Sequence, residues 1–146
     1  MTFFTSGSTG DPKAINITNK NFITSFYGQL RSLYKDNKKY IFGDYHDNSF
    51  VIILNILLPC LYKKNSISPA LSLNDTLFFT EHMKKNNVNV LITVPSNINR
   101  IKNYKNNQKN LQVKKIVMCG ETFYSDILIY LKKNYPKSEF YNCYGS

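Results

Sequence analysis

Short β-type runs alternate with longer helix-like segments along this chain, and this alternation constrains the fold more than any other feature. Several runs are continuously apolar, as in Val90-Leu91-Ile92, which is typical of strands that are buried on both faces. Such alternation predicts parallel β-α-β units, and so an α/β fold with a mostly parallel sheet and helices on both faces. The candidate strands are Thr2 to Thr5, Lys39 to Phe42, Ser66 to Ser68, Val88 to Val94, Lys114 to Met118 and Glu139 to Asn142.

The segments between these runs have helical periodicity. In the last of them Ile127, Leu128, Leu131 and Tyr135 recur at helical spacing, so one side of that helix is predicted to face the core. Asp75 is a candidate cap for the third helix and Ser96 for the fourth. The candidate helices are Lys20 to Tyr34, Asn48 to Tyr62, Leu73 to Asn86, Pro95 to Tyr104 and Ser125 to Tyr135.

The formal net charge of +10 raises the question of a nucleic-acid partner. Arginine occurs only at Arg31 and Arg100, and the lysines are scattered among asparagines rather than clustered. A solvated surface therefore explains the charge, and no nucleic-acid partner is predicted. The 146 residues suit one domain with one packed core.

The three cysteines and the longest apolar stretch indicate the cellular compartment in which the protein is expected. Cys60, Cys119 and Cys143 have no CxxC spacing, so neither a zinc site nor a disulfide framework is indicated, and free thiols in a reducing cytoplasm are expected. The apolar stretch from Phe50 to Tyr62 contains Asn55 and Pro59 and is too short for a membrane span. A soluble, cytoplasmic protein is predicted.

Glycines and hydroxyl side chains are concentrated directly after the first strand. Gly7 and Gly10 can adopt positive φ and let phosphate oxygens approach the backbone, and Lys13 adds a mobile positive charge. The spacing is not that of a Walker A loop. Chemistry alone leaves two interpretations equally open, a phosphate-binding loop and a solvated turn. The candidate phosphate-binding residues are Thr5, Ser6, Gly7, Ser8, Thr9, Gly10 and Lys13.

The segment Thr5-Ser6-Gly7-Ser8-Thr9-Gly10-Asp11-Pro12-Lys13 resembles the phosphate loop of the adenylate-forming, or AMP-binding, superfamily of acyl-CoA synthetases, luciferases and nonribosomal-peptide adenylation domains. Cys119-Gly120-Glu121-Thr122 is similar to the family's G-G-E segment, and Asn142-Cys143-Tyr144-Gly145 to its N-x-Y-G motif, in the family's order. The resemblance covers essentially the whole chain but only the central part of a usual member. It implies a partial AMP-binding (adenylation) domain over residues 1–146, without the family's N-terminal part and its C-terminal domain.

The resemblance also implies a function, the ATP-dependent activation of a carboxylate to an acyl-adenylate, with this chain carrying the nucleotide half-site. ATP and Mg²⁺ are the implied cofactors, and a thiol of CoA or of a carrier protein is the implied acceptor. In the family the backbone of the G-G-E segment lies against adenine and the motif's Tyr, here Tyr144, stacks on it. The implied adenine-binding residues are Gly120, Glu121, Thr122, Asn142, Cys143, Tyr144 and Gly145.

No catalytic or metal-binding residue is assigned in the chain, because the family's magnesium Glu, ribose Asp and catalytic Lys have no match among the 146 residues. The chain alone is therefore expected not to complete the reaction. An alternative of another class is an inactive remnant or interaction module that keeps the fold. Ala14 and Cys119, which replace family glycines, favour that alternative, and the near-intact phosphate loop favours the enzyme.

The substrate side of the site is marked by His46 and Asp47. They lie where the family carries an aromatic residue or His in acyl and aryl activators, or an F-D-x-S motif in amino-acid activators, and both alignments fit after a shift of one residue. An Asp here would pair with a substrate ammonium, and a His would line an acyl pocket. The sequence favours an acyl or aryl carboxylate over an amino acid and does not name the compound.

Overall fold

The computed structural model describes residues 2–5, 11–36, 38–45, 53–72, 78–103 and 112–144. The chain divides into two compact units, Met1–Asn37 and Lys38–Ser146. The first contains a hairpin and a helix, and the second contains the main sheet.

In the first unit, strand β1 (Thr2–Thr5) pairs antiparallel with β2 (Lys13–Asn16). Helix α1 (Asn19–Leu33) follows, and the Thr18 side chain caps it by accepting a hydrogen bond from the Asn21 amide at 3.1 Å. Strand β1 and helix α1 were predicted from the sequence. Strand β2 was not, because all four of its residues are exposed and they form no apolar run.

The second unit is a five-stranded sheet in the order β4-β3-β5-β6-β7, and every pair of neighbouring strands is parallel. This confirms the predicted α/β class. The elements, in chain order, are β3 (Ile41–Asp44), α2 (Ile53–Lys63), β4 (Ser66–Pro69), α3 (Phe79–Lys85), β5 (Val90–Thr93), α4 (Pro95–Asn103), β6 (Lys115–Cys119), α5 (Ser125–Asn134) and β7 (Glu139–Cys143).

The connections of the sheet run in two directions. The step from β3 to β4 goes towards one edge, and the steps from β5 to β6 and from β6 to β7 go towards the other. Right-handed crossovers in opposite directions place α2 on one face and α3, α4 and α5 on the other. The reversal lies between β3 and β5, and in open α/β sheets the crevice at the carboxyl ends of such strands is the usual ligand site.

Both faces of the sheet bury apolar side chains. On the face of α3, α4 and α5, Leu91, Ile116 and Met118 join one hydrophobic cluster with residues of those helices. Of the predicted inward positions in and after α5, Ile127, Leu131 and Tyr135 are buried, whereas Leu128 is only partly buried. The opposite face buries alternate positions of the same strands: Phe42, Val90, Ile92 and Val117.

Of the two predicted helix caps, one differs from the structure and the other lies outside the described residues. Helix α3 begins at Phe79, after Phe78 in the cap position without a side-chain cap, and Asp75 lies outside the described residues. Ser96 is not the cap of α4, because that helix already begins at Pro95. Among the helices of the described ranges, none combines the length and the hydropathy that crossing a membrane requires.

Candidate functional site

The carboxyl ends of β3, β5, β6 and β7 bring together the turns that the sequence singled out in the second unit. Strand β6 ends at Cys119 and β7 ends at Cys143, and these two residues are paired in register. The segment Gly120 to Thr122 and the residue Tyr144 therefore follow neighbouring strands and lie at the carboxyl ends of the strands. The structure thus places the two predicted adenine-binding segments side by side, with Gly145 outside the described residues.

The turn after β6 is joined to the start of α4 by two hydrogen bonds. The Ser96 amide donates to Glu121 Oε2 at 2.8 Å, and the Ser96 hydroxyl donates to Glu121 Oε1 at 2.9 Å. Both carboxylate oxygens of Glu121 are therefore used at a helix N-terminus, where negative charge is favoured. Sequence reasoning did not find this contact, since its partners lie 25 positions apart.

Gly120 takes a backbone conformation that other residues rarely adopt. Its φ is +79°, in the left-handed region, so a side chain at this position would strain the turn. On the strand side, the Cys119 thiol donates to the Thr93 carbonyl at 3.7 Å and connects the ends of β6 and β5. The hydroxyl of Thr93 accepts a further hydrogen bond from the side-chain amide, Nδ2, of Asn97 at 3.0 Å. The glycine turn is thus held between two strand ends and one helix.

The cysteines at this edge are not poised as nucleophiles. Burial raises the pKa of the Cys119 thiol to about 12, and the neighbouring Cys143 adds to the shift. Burial also raises the pKa of Cys143. Both thiols stay protonated at neutral pH, and the thiolate is the reactive form. Among the described residues, no three His, Cys, Asp or Glu side chains are grouped as metal ligands.

Tyr144 is fully exposed at this edge, with a relative accessibility of 100%. Asn142 and Thr122 are exposed as well. The aromatic ring that the sequence assigned to adenine stacking is therefore accessible and does not fill the core.

At the end of β3, Tyr45 is buried and its hydroxyl lies 2.9 Å from Nδ1 of His82, within hydrogen-bonding distance. Its ring also packs against Phe79 and lies over Gly43, where an added Cβ would come within 2.4 Å of the ring. His82 lies on the buried side of α3, a placement that the sequence did not indicate. A lone His on a short helix gives no sequence signal for such a partner. The predicted substrate residues His46 and Asp47 lie outside the described residues.

The predicted phosphate loop lies in the first unit. Thr5, at the end of β1, is the register partner of Lys13, at the start of β2, so the intervening segment is closed at its base by an antiparallel pair. The residues of that segment from Ser6 to Gly10 lie outside the described residues.

A charged cluster that the sequence did not indicate lies on β6 and β7. The Lys115 side chain is only 4% exposed and forms an ion pair with Glu139 at 2.9 Å. Its ammonium lies 5.6 Å from the ring centroid of Tyr40 and 5.4 Å from that of Tyr141. Burial disfavours the charged ammonium, but the bonds to Glu139 and Tyr141 outweigh it and raise the pKa of Lys115.

A cavity of about 510 Å³ opens at the opposite end of the strands, near the amino ends of β3 and β6. None of the residues predicted for nucleotide or substrate binding contributes to it. Its lining residues are Ile41, Met83, Lys84, Asn87, Val88, Asn89, Gln112 and Lys114.

Comparison with known proteins relates the whole chain to one family. The family model described as AMP-binding enzyme matches residues 1–146. The D-alanine–D-alanyl carrier protein ligase of Bacillus licheniformis is 27% identical over 146 residues, which cover 97% of this chain and 29% of that protein. The chain therefore spans under a third of the length of this curated relative.

Solved structures share the fold over nearly the whole chain. The Vibrio cholerae adenylation domain AlmE, in complex with glycyl-adenosine-5'-phosphate, has a TM-score of 0.84 and 20% identity, covering 99% of this chain and 27% of its own. A fatty acyl-adenylate ligase from L. pneumophila, in complex with acyl adenylate and pyrophosphate, has a TM-score of 0.78 and 16% identity, covering 99% and 28%. At such identities the likeness establishes the fold.

Proposed function

The chain belongs to the AMP-binding enzyme family, and from this premise we propose that it binds ATP in the activation of a carboxylate as an acyl-adenylate. Its five-stranded parallel sheet with flanking helices is the fold of the N-terminal domain of adenylate-forming enzymes. In the proposed reaction the carboxylate oxygen attacks the α-phosphorus of ATP and pyrophosphate leaves. The protein's main tasks in such a step are to position the reactants and to neutralise the developing charge.

The observation that carries the proposal is the pairing of Thr5 with Lys13 across the base of the glycine-and-hydroxyl segment. The pairing brings the two ends of the segment together, and between such ends we expect a loop whose successive backbone amides can surround an anion. Lys13 stands exposed at the base of that loop and supplies a point charge for the phosphates. The proposed phosphate ligands are Thr5, Ser6, Gly7, Ser8, Thr9, Gly10 and Lys13.

The proposed adenine site is the edge formed by the turns after β6 and β7. The exposed ring of Tyr144 offers a stacking face, and Gly120, which has no side chain, leaves the backbone open to close approach by a flat base. Glu121, Thr122, Asn142, Cys143 and Gly145 complete the proposed surroundings of the base.

The carboxylate in this proposal is that of an amino acid, and its acceptor is the thiol of a carrier protein. The names of the Bacillus licheniformis relative and of the AlmE complex refer to D-alanine with its carrier protein and to glycine. Asp47 is the proposed partner of the substrate ammonium, with His46 beside it, because an ionised carboxylate would neutralise that charge in the pocket. This choice departs from the acyl or aryl substrate that the sequence favoured.

Mg²⁺ would take most of its ligands from the phosphates and from water, as it does in other nucleotide sites. When bound it would neutralise charge on the phosphate oxygens. The part of the chain that the structure describes groups no three potential ligands, so its residues do not dictate where the ion sits.

The proposal is tested by calorimetric titration of the 146-residue chain with MgATP, together with thermal melting. Saturating ATP should raise the melting temperature, since a ligand at 100 times its dissociation constant stabilises a folded protein by about 2.7 kcal/mol. Lys13→Ala should weaken ATP binding with little change in melting of the free protein. Lys35→Ala is the matched control, an exposed lysine of the same unit, and should bind ATP as the unaltered chain does.

Absence of ATP binding in the unaltered chain, or equal binding by Lys13→Ala, would overturn the proposal. The substrate class is tested by ATP–pyrophosphate exchange in the complete polypeptide that contains this chain, over amino, aryl and fatty acids. Exchange with amino acids alone supports the proposed class, and exchange with fatty or aryl acids alone contradicts it. ATP binding without exchange for any carboxylate would favour the inactive remnant.

A further inference from the structure

Both oxygens of the exposed Glu121 side chain are engaged in hydrogen bonds within the protein. Its two oxygens accept hydrogen bonds from the amide and the hydroxyl of the same residue, Ser96, at 2.8 and 2.9 Å. A carboxylate that receives two such bonds from one partner is fixed in distance and in orientation. Glu121 therefore does not extend freely towards a ligand, although the sequence placed it among the adenine-binding residues.

These bonds occupy the N-terminus of α4, the helix that begins at the carboxyl end of β5. Helix N-termini at this edge of a parallel sheet commonly bind phosphate, because their amides lack partners inside the helix. Here Glu121 takes the place of an external anion. A phosphate brought to this helix end would meet a carboxylate, so the phosphates of a nucleotide belong elsewhere.

The turn that carries Glu121 is held from both sides. On one side the Cys119 thiol donates to the Thr93 carbonyl, and on the other Glu121 is bound by Ser96. Between them lies Gly120, whose positive φ gives the turn its shape. Since glycine has the greatest conformational freedom of any residue, a turn built on it keeps one shape only when its neighbours are anchored. The two anchors supply that restraint.

We propose that Glu121 is a positioning residue, which acts through Ser96 to hold the Gly120 turn in the one conformation that receives the nucleotide base. This inference rests on the proposed ATP binding and assigns to the carboxylate of Glu121 a role without contact to the nucleotide, while the backbone of the turn borders the base. It assigns to Glu121 an effect on the binding of the base and none on the binding of phosphate. A residue that merely caps α4 would affect the stability of the fold, whereas a positioning residue also affects base affinity.

The test is calorimetric titration of the 146-residue chain with three probes, MgATP, AMP and inorganic tripolyphosphate. Glu121→Ala should weaken the binding of ATP and of AMP about tenfold or more, by analogy with the hydrogen-bonding partners that orient metal ligands and whose loss weakens metal binding on that scale. Tripolyphosphate should bind as it does to the unaltered chain, because it carries no base. Glu121→Gln should retain most of the AMP affinity, since its amide can still accept from the Ser96 amide and can donate to the Ser96 hydroxyl.

Two further variants make the result specific. Ser96→Ala in the Glu121→Ala background should cause no additional loss of AMP affinity, because the contact is already absent. Glu81→Ala, an exposed glutamate on α3, is the matched control and should leave all three affinities unchanged. Circular dichroism and urea unfolding of each variant measure the folded fraction to which every affinity is referred.

Equal AMP affinity in Glu121→Ala and the unaltered chain would reduce Glu121 to a helix cap and overturn the inference. A parallel loss of tripolyphosphate affinity would also overturn it, since the effect would then extend beyond the binding of the base. If the unaltered chain binds neither ATP nor AMP, the proposed function fails and the positioning role with it. If the unaltered chain binds ATP and AMP and the Glu121 variants bind them with the same affinity, only the positioning role is rejected.

Discussion

At the scale of single residues, the contact between Tyr45 and His82 joins the end of β3 to helix α3. Both side chains are buried, and their rings meet edge to face with centroids 5.4 Å apart. A buried polar atom that loses its only partner costs more than an average hydrogen bond contributes, because it has given up water without replacement. Gly43 is part of the same arrangement, since the Tyr45 ring lies where a larger residue would place its Cβ.

Tyr45→Phe should therefore lower the free energy of unfolding by about 1–3 kcal/mol, the usual cost of leaving one buried polar group unsatisfied. The ring and its packing remain, so the loss reports on the hydrogen bond with His82. Urea unfolding followed by circular dichroism measures it. Tyr124→Phe is the control, because that ring is 63% exposed and loses the same single atom. Equal stability of the two variants would show that the bond contributes nothing.

At the scale of elements, Lys115 and Glu139 connect β6 to the edge strand β7 as register partners. Hydrogen bonds from the Tyr141 hydroxyl and then from Lys115 hold the pKa of Glu139 below its ordinary value of 4.5. A carboxyl whose pKa is lower in the folded state stabilises the fold at pH above its unfolded pKa. That contribution is lost as the pH falls through the folded pKa.

The free energy of unfolding should accordingly fall more steeply below about pH 4.5 in the unaltered chain than in Glu139→Gln, which cannot titrate. The ion pair is half exposed on the Glu139 side, so the difference should be modest and should shrink in high salt. Urea unfolding at a series of pH values measures the slope, with Glu81→Gln as a control. Identical slopes for the unaltered chain and Glu139→Gln would mean that the Glu139 carboxyl does not make the free energy of unfolding depend on pH.

At the scale of the whole molecule, the protection of backbone amides from hydrogen exchange should follow the order of the strands in the sheet. Strands β5 and β6 are central, and residues of both are fully buried, whereas β4 and β7 are at the edges and β1 with β2 forms an exposed hairpin. Amides of central strands exchange only on large-scale opening, and edge amides exchange by local fraying.

Amide hydrogen exchange should thus be slowest in Val90–Thr93 and Lys115–Cys119 and faster in Ser66–Pro69 and Glu139–Cys143. The amides of Lys13–Asn16 should be among the fastest of the paired residues. Mass spectrometry of peptides after timed exchange gives the order directly. Slower exchange in β4 or in the hairpin than in β5 would contradict it.

The sequence by itself determined the α/β class, six of the strands and the order of the segments that are proposed to bind the nucleotide. It could do so because buried parallel strands are apolar on both faces, and because three motifs resemble those of a known family in the same order. Residues 120 and 144 were singled out by that resemblance. Strand β2, which is exposed and not apolar, gave no such signal.

Only the tertiary structure decided which groups face one another. The bond between Glu121 and Ser96, the burial of His82 against Tyr45 and the ion pair of Lys115 each join residues at least 24 positions apart. Local periodicity carries no information on such pairs, because their distance depends on strand order and register rather than on neighbouring residues. The pattern of residues singled out the turn that contains Glu121, and the fold of the sheet determined that this side chain bonds to the N-terminus of a neighbouring helix.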